Sequence, residues 1–191
     1  DPVIYSNQNY PWFNAEGKQY SNYKVGDAPT DCNPVGTYRK TFTVDPKWSG
    51  RQVFIDFEGV ASAMYLWVNG EYIGYSEDSF TRNEFNITDA LDFSSGNENV
   101  ITVEVYRWSD GSYIENQDMV RPCGIFRDVY LTSKDTVEIR DFTVVTDLDE
   151  NYENADLNVD VDVRQLKAAK GGDSKITLSE TSVLLEEGES K

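Results

Sequence analysis

The stretch Arg107–Val129, RWSDGSYIENQDMVRPCGIFRDV, interrupts a chain that otherwise alternates like short strands joined by tight turns. It leaves the regular strand pattern of Ile101–Tyr106 and runs through polar and turn-forming positions until Ile125–Leu131 resumes a strand pattern. Loops that long without secondary structure are uncommon in compact domains and are usually functional or disordered. This one carries Trp, Tyr, Ile, Met and Phe, a composition that argues for order. Its polar residues Asp110, Glu115, Asn116, Gln117, Asp118 and Arg121 mark it as the place to look for a site.

On the N-terminal side of this loop, Tyr38–Val44, Gln52–Phe57, Ala63–Val68, Glu71–Ser76, Phe80–Ile87 and Val100–Tyr106 read as strands, rich in β-branched and aromatic residues. Asn69-Gly70 between two of them predicts a two-residue type I′ hairpin. Thr88–Phe93 predicts one helical turn, with Thr88 as its cap. Asp1–Asn33 reads as an extended arm whose aromatics anchor it on a sheet. About eight strands in roughly 130 residues suit a two-sheet sandwich or jelly roll. Beyond a linker at Thr132–Asp135, the segments Val137–Thr146, Ala155–Gln165 and Lys175–Leu185 read as three longer strands. Leu157, Val159, Val161 and Val163 alternate with polar residues, so one face expects a cover. The predicted architecture is all-β: a jelly-roll domain over residues 1–135, then part of a second β-sandwich over 136–191. The start at Asp1-Pro2 and the missing covering strands lead us to expect a piece of a longer protein.

The 191 residues carry 17 basic and 34 acidic side chains, a net charge of −17 spread along the chain. Such a surface repels phosphate backbones and anionic lipid, so neither nucleic acid nor membrane is expected as a partner; neutral sugars remain open. There is no histidine, which excludes Ser-His-Asp and Cys-His mechanisms within this chain. Cys32 and Cys123 are too few for a disulfide scaffold or a Cys-only zinc site, and the sequence leaves their pairing open. No apolar run is long enough to span a bilayer.

Several motifs have plain explanations. Asp147, Asp149 and Asn151 start like a calcium loop, but Tyr152 and Asn158 stand where Gly and Glu are needed, so a charged turn is expected. Asn86-Ile87-Thr88 fits a glycosylation acceptor and reads as a strand end. Trp48, Trp67 and Tyr65 read as sandwich core and sheet packing, and Trp108 as an anchor for the loop. Glu115 and Asp118 have the chemistry to hold sugar hydroxyls or a cation, without the spacing of a catalytic pair.

RWSDGSYIENQDM followed by GIFRDV resembles the signature of glycoside hydrolase family 2 β-galactosidases. The resemblance extends to IYSNQNYP at Ile4–Pro11, NPVGTYRKTF at Asn33–Phe42, FEGVASAMYLWVNGEYIGYSEDS at Phe57–Ser79 and NVITVEVYRWSDG at Asn99–Gly111. It covers nearly all of the chain to about residue 165. It implies a sugar-binding jelly roll followed by part of an immunoglobulin-like sandwich; the family's TIM barrel, with two catalytic glutamates, would lie elsewhere. It implies that Asp118 reaches into the barrel's active site, contacts galactose hydroxyls and shares a sodium ion, and that Asn7 hydrogen-bonds the sugar. Gln8 replaces a small apolar residue beside it. Glu77 and Asp110 fall where some members hold a structural divalent ion, with magnesium possible; Glu77 stands where the better-known pattern has Gln. The implied parent is a bacterial retaining β-galactosidase, a homo-oligomer of the cytoplasm or periplasm, and the isolated chain is expected to be inactive. The alternatives are a free-standing carbohydrate-binding module, or a β-glucuronidase or β-mannosidase of the same family.

Overall fold

A computed structural model describes residues 24, 26–30, 33–115 and 120–166. The chain divides into two compact units, Asp1–Ser133 and Lys134–Lys191. Asn7, Gln8, Cys32 and Asp118 lie outside the described residues, as do most of the expected N-terminal arm and the expected strand Lys175–Leu185.

The first unit is a β-sandwich. Its larger sheet holds β1 (Val35–Phe42), β4 (Ala63–Val68), β5 (Glu71–Ser76) and β7 (Asn99–Tyr106), in the order β1-β7-β4-β5. The facing sheet is β6-β2-β9, formed by β2 (Gln52–Phe57), β6 (Asn83–Asn86) and β9 (Val129–Lys134). A short antiparallel pair joins β3 (Val60–Ala61) to β8 (Gly124–Ile125).

Alternation builds the core. Val53, Ile55 and Phe57 of β2 form one cluster with Met64, Leu66 and Val68 of β4 and Val103 and Val105 of β7, completed by Val60 and Ile87. Burying each such side chain contributes about 1.5–3 kcal/mol against exposure. The hairpin between β4 and β5 has the predicted turn: φ is 51° at Asn69 and 83° at Gly70, the left-handed pair a type I′ turn requires.

Several expectations need correction. Ile125–Leu131 is not one strand: its ends pair in different sheets, as β8 and β9, because residues 126–128 carry the chain across. The boundary between the two units falls inside the expected linker Thr132–Asp135, but that stretch is structured: β9 runs through Lys134, and Arg51 Nε donates to Ser133 Oγ at 2.7 Å. Thr88 opens a 3-10 turn without capping it; its hydroxyl instead accepts from Val53 N at 2.8 Å and ties the turn to β2. Asn86 behaves as a strand end, accepting from Thr88 N at 3.0 Å and donating to Gln52 Oε1 at 3.0 Å. Of the aromatics expected in the core or packed on a sheet, Tyr65 and Trp67 are of the second kind. They alternate with Met64, Leu66 and Val68, so their rings lie on the opposite face of the larger sheet from the core.

β2 departs from simple alternation because both of its faces are buried. Asp56 is fully buried, and its carboxylate accepts from Thr132 Oγ1 at 2.8 Å and pairs with Arg82 Nε at 3.3 Å. A buried carboxylate without partners would be costly, so Arg82 and Thr132 are what allow it.

In the second unit, β10 (Val137–Leu148) and β11 (Ala155–Gln165) form an antiparallel pair with a bulge between Ile139 and Asp141. Phe142 opposes Val161 and Val144 opposes Val159, and all four side chains are exposed. The turn at Asp147–Asn154 is a charged turn, as expected. Asp149 accepts from the backbone of Asn151, Glu153 and Asn154, so its oxygens are used locally.

Candidate functional site

Register places the site. Tyr106, the last residue of β7, lies opposite Val35 at the start of β1 and Ala63 at the start of β4. Tyr75, near the end of β5, lies opposite Tyr65. The loop from Arg107 therefore leaves the sheet where the segment after β5 also leaves it.

Three attachments hold this loop. Arg107 N donates to Pro34 O at 3.0 Å. Asn33 then grips the backbone of Trp108 twice, donating to its carbonyl at 2.8 Å and accepting from its N–H at 2.9 Å. Trp108 is buried, as befits an anchor, with the Arg107 guanidinium 5.3 Å from its ring centre. Asp110–Tyr113 forms a 3-10 turn, in which Ser109 N donates to Ser112 Oγ at 3.0 Å.

The third attachment is Glu115. Its carboxylate accepts from Ser79 N at 3.1 Å and from Ser79 Oγ at 2.5 Å, and Ser79 is buried. Both carboxylate oxygens of Glu115 thus help to hold the loop. On the far side of 116–119, Gly124–Ile125 pairs with Val60–Ala61. The segment that contains Asp118 is thereby fastened on both flanks.

Glu77 and Asp110 do come together. Tyr75 Oη donates to Glu77 Oε1 at 2.7 Å. Its hydrogen bond with Asp110 pushes the Glu77 carboxyl above the usual carboxylate range, and the same bond holds Asp110 below it. Burial, reinforced by the bond to Glu77, pushes the Tyr75 hydroxyl up. Two carboxyl groups held this close repel each other when both are ionised, and a cation would relieve that repulsion. The donor chemistry fits a hard divalent ion, although no group of three or more Asp, Glu, His or Cys residues gathers among the described residues.

Sequence reasoning missed Asn33 and the Ser79–Glu115 tie, since partners 75 and 36 residues apart carry no local signal. It also missed that Tyr65, Tyr75 and Tyr106 line one cleft with Asp110. No described helix is long and apolar enough to cross a membrane.

The fold is shared with solved glycoside hydrolases. A β-glucuronidase from Bacteroides uniformis superposes with a TM-score of 0.58 at 24% identity, over 65% of this chain and 15% of that one. A glycosyl hydrolase family 2 member from Bacteroides cellulosilyticus DSM 14838 gives 0.53 at 25% identity, over 66% and 17%. Residues 2–135 match the family described as glycosyl hydrolases family 2, sugar binding domain, and the chain belongs to that family. Curated relatives include the β-galactosidases of Priestia megaterium, 51% identical over 159 residues, and Clostridium acetobutylicum, 44% over 161 residues. They match 83% and 84% of this chain. The β-galactosidase of Streptococcus thermophilus is 38% identical over 97% of the chain. The chain spans 15–17% of the length of these three relatives.

Proposed function

We propose that this chain is part of a retaining β-galactosidase that removes terminal β-linked galactose, and that it completes the active site without supplying the bond-making groups. The observation that carries this reading is the Arg107–Val129 loop. It holds the β-galactosidase-like motif, and Asn33, Glu115 and β8 fasten it on both sides of residues 116–119. A loop tied down in this way can present a side chain to a neighbouring domain at low entropic cost.

In this reading Asp118 accepts hydrogen bonds from galactose hydroxyls and contributes one oxygen to a sodium ion, and Asn7 binds the sugar from the arm. A neutral sugar is oriented by a few fixed polar groups of this kind. Retention needs two carboxylates about 5–5.5 Å apart, one as nucleophile and one as acid/base, and a barrel encoded elsewhere supplies them. Asp118 lowers the barrier by positioning and by hydrogen bonds that tighten in the transition state. Glu77 and Asp110 hold a structural divalent ion, with magnesium as its candidate, and the whole enzyme assembles as a homo-oligomer.

The test is made in the whole gene product. Asp118→Ala should lower kcat/KM on an aryl β-galactoside by roughly 100-fold or more and weaken sodium activation, while Asp118→Asn retains part of both. The 191-residue chain alone should show no turnover. Full activity in Asp118→Ala, or hydrolysis by the pure chain, would sink the proposal. Preference for an aryl β-glucuronide would favour the glucuronidase reading instead.

A further inference from the structure

The face of the larger sheet turned away from the core is unusually aromatic. Solvent-facing positions of a half-buried strand are ordinarily polar. Here Tyr65 packs against Trp67, Tyr72, Tyr75 and Tyr106, with ring centres 4.6–6.5 Å apart. Tyr72 is 53% exposed and Tyr75 39%. A contiguous patch of this kind marks a surface that something covers. The N-terminal part of the same chain comes up to it. Tyr113 Oη donates to Lys24 O at 3.3 Å, and Asp27 N donates to the same carbonyl at 3.1 Å. Ala28, Pro29 and Thr30 then line the cleft that Tyr65, Tyr75 and Tyr106 also line, and Pro29 is buried there. The residues before Lys24 therefore begin at the edge of the aromatic face.

We propose that residues 10–23 dock on this face, laying their aromatic side chains against Tyr65, Trp67, Tyr72 and Tyr75. Three observations select this occupant. The first is composition. Tyr10, Trp12, Phe13, Tyr20 and Tyr23 make five of the fourteen residues aromatic, against 13% of the whole chain. Aromatic rings favour edge-to-face and offset contacts with one another, the geometry that Tyr65 and Tyr106 already adopt. The second is charge. Glu16 and Lys18 cancel, so the segment is neutral, whereas a second copy of the chain would bring −17 against −17. The third is attachment. Held at Lys24, the segment meets the face at an effective concentration on the order of millimolar, which a separate partner must exceed to displace it. Fourteen extended residues reach about 45–50 Å, well beyond the roughly 20 Å of a six-residue strand such as Ala63–Val68. Docking here neither requires nor implies a catalytic role for Asp118.

The test uses the isotope-labelled 191-residue chain in solution. Nuclear Overhauser contacts should join ring protons of residues 10–23 to those of Tyr65, Tyr72 or Tyr75. Amides of residues 10–23 should exchange roughly tenfold or more slowly than in an unstructured chain. Tyr65→Ser, and Trp12→Ser on the other side of the contact, should each bring that exchange to within about threefold of the unstructured rate. The core amides of Ile55 and Val103 should change little in either variant. Absence of the ring contacts in the parent chain overturns the proposal, and that measurement does not depend on a variant folding. So does protection that survives both substitutions. Ring contacts that run between molecules in a mixture of labelled and unlabelled chains overturn it as well, because they assign the face to a second copy.

Discussion

Glu115→Ala tests whether the Arg107–Val129 loop is held as described. The substitution removes both acceptors of Ser79, leaving its N–H, at 3.1 Å, and its hydroxyl, at 2.5 Å, without partners. Ser79 is only 1% exposed, so water cannot readily replace the carboxylate. A hydrogen bond to a charged group contributes about 1.5–3 kcal/mol, and a stranded buried donor costs about 1–3 kcal/mol. The two bonds share one residue at each end and do not add fully, so about 2–4 kcal/mol is the expected loss. The loss falls on local opening of this loop more than on the sandwich core. Native-state hydrogen exchange reads that opening directly. The amide of Ser79 and those of residues 111–115 should exchange roughly 30- to 700-fold faster, while Leu66 and Val103 in the core change little. Glu115→Gln keeps one carbonyl acceptor and should cost roughly tenfold or less. Exchange within about threefold of the parent in Glu115→Ala would refute the tie. If Asp118 acts as proposed, Glu115→Ala should also lower kcat/KM of the whole enzyme by roughly 10- to 100-fold, since small misplacements of a positioning group cost that much.

Three further outcomes are expected. Asp56→Ala removes the acceptor of the Thr132 hydroxyl and one of the two carboxylates paired with half-exposed Arg82, and should cost about 1–3 kcal/mol in urea unfolding; a loss below about 0.5 kcal/mol would contradict the buried network. Gly124→Ala places a methyl group 2.5 Å from Tyr38 Oη at a φ of +80°, so about 1–3 kcal/mol should be lost. Adding Tyr38→Phe should recover the steric share but not the backbone strain, and an additive double variant would disprove that contact. For the carboxyl pair, the Glu77 carboxyl is raised and Asp110 lowered, so the pair is most stable holding one proton. Stability from Asp110 is lost as pH falls through its lowered pKa, and stability from protonated Glu77 is lost as pH rises through its raised one. Magnesium must displace that proton, so it should raise the melting temperature more at pH 7.5 than at pH 5. An equal effect in Asp110→Asn would rule out this site.

Local signals in the sequence carried much of the fold. Asn69-Gly70 admits left-handed backbone at both positions, and the strands on either side end where the hairpin needs them. Leu66 and Val68 alternate with Tyr65 and Trp67, which requires a strand with two unlike faces whatever surrounds it. The same alternation did not say which face is core. Tyr65 and Trp67 read equally as core or as sheet packing; the register with β7 put Met64, Leu66 and Val68 inside. Asp56 was unreadable as a buried charge, because Arg82 and Thr132 approach it from distant positions in the chain.

The loop divides in the same way. Its length, its aromatic content and its likeness to family 2 β-galactosidases stand in the residues themselves, and so does the candidacy of Asp118 and Asn7. That Glu115 is spent on Ser79, that Asn33 locks Trp108, and that Glu77 meets Asp110 became visible only with the chain folded. Backbone preference and side-chain alternation act over a few residues, so the sequence determines them alone. Which polar groups neutralise one another depends on sheet register and on segments 33 to 75 residues apart, which the tertiary structure decides.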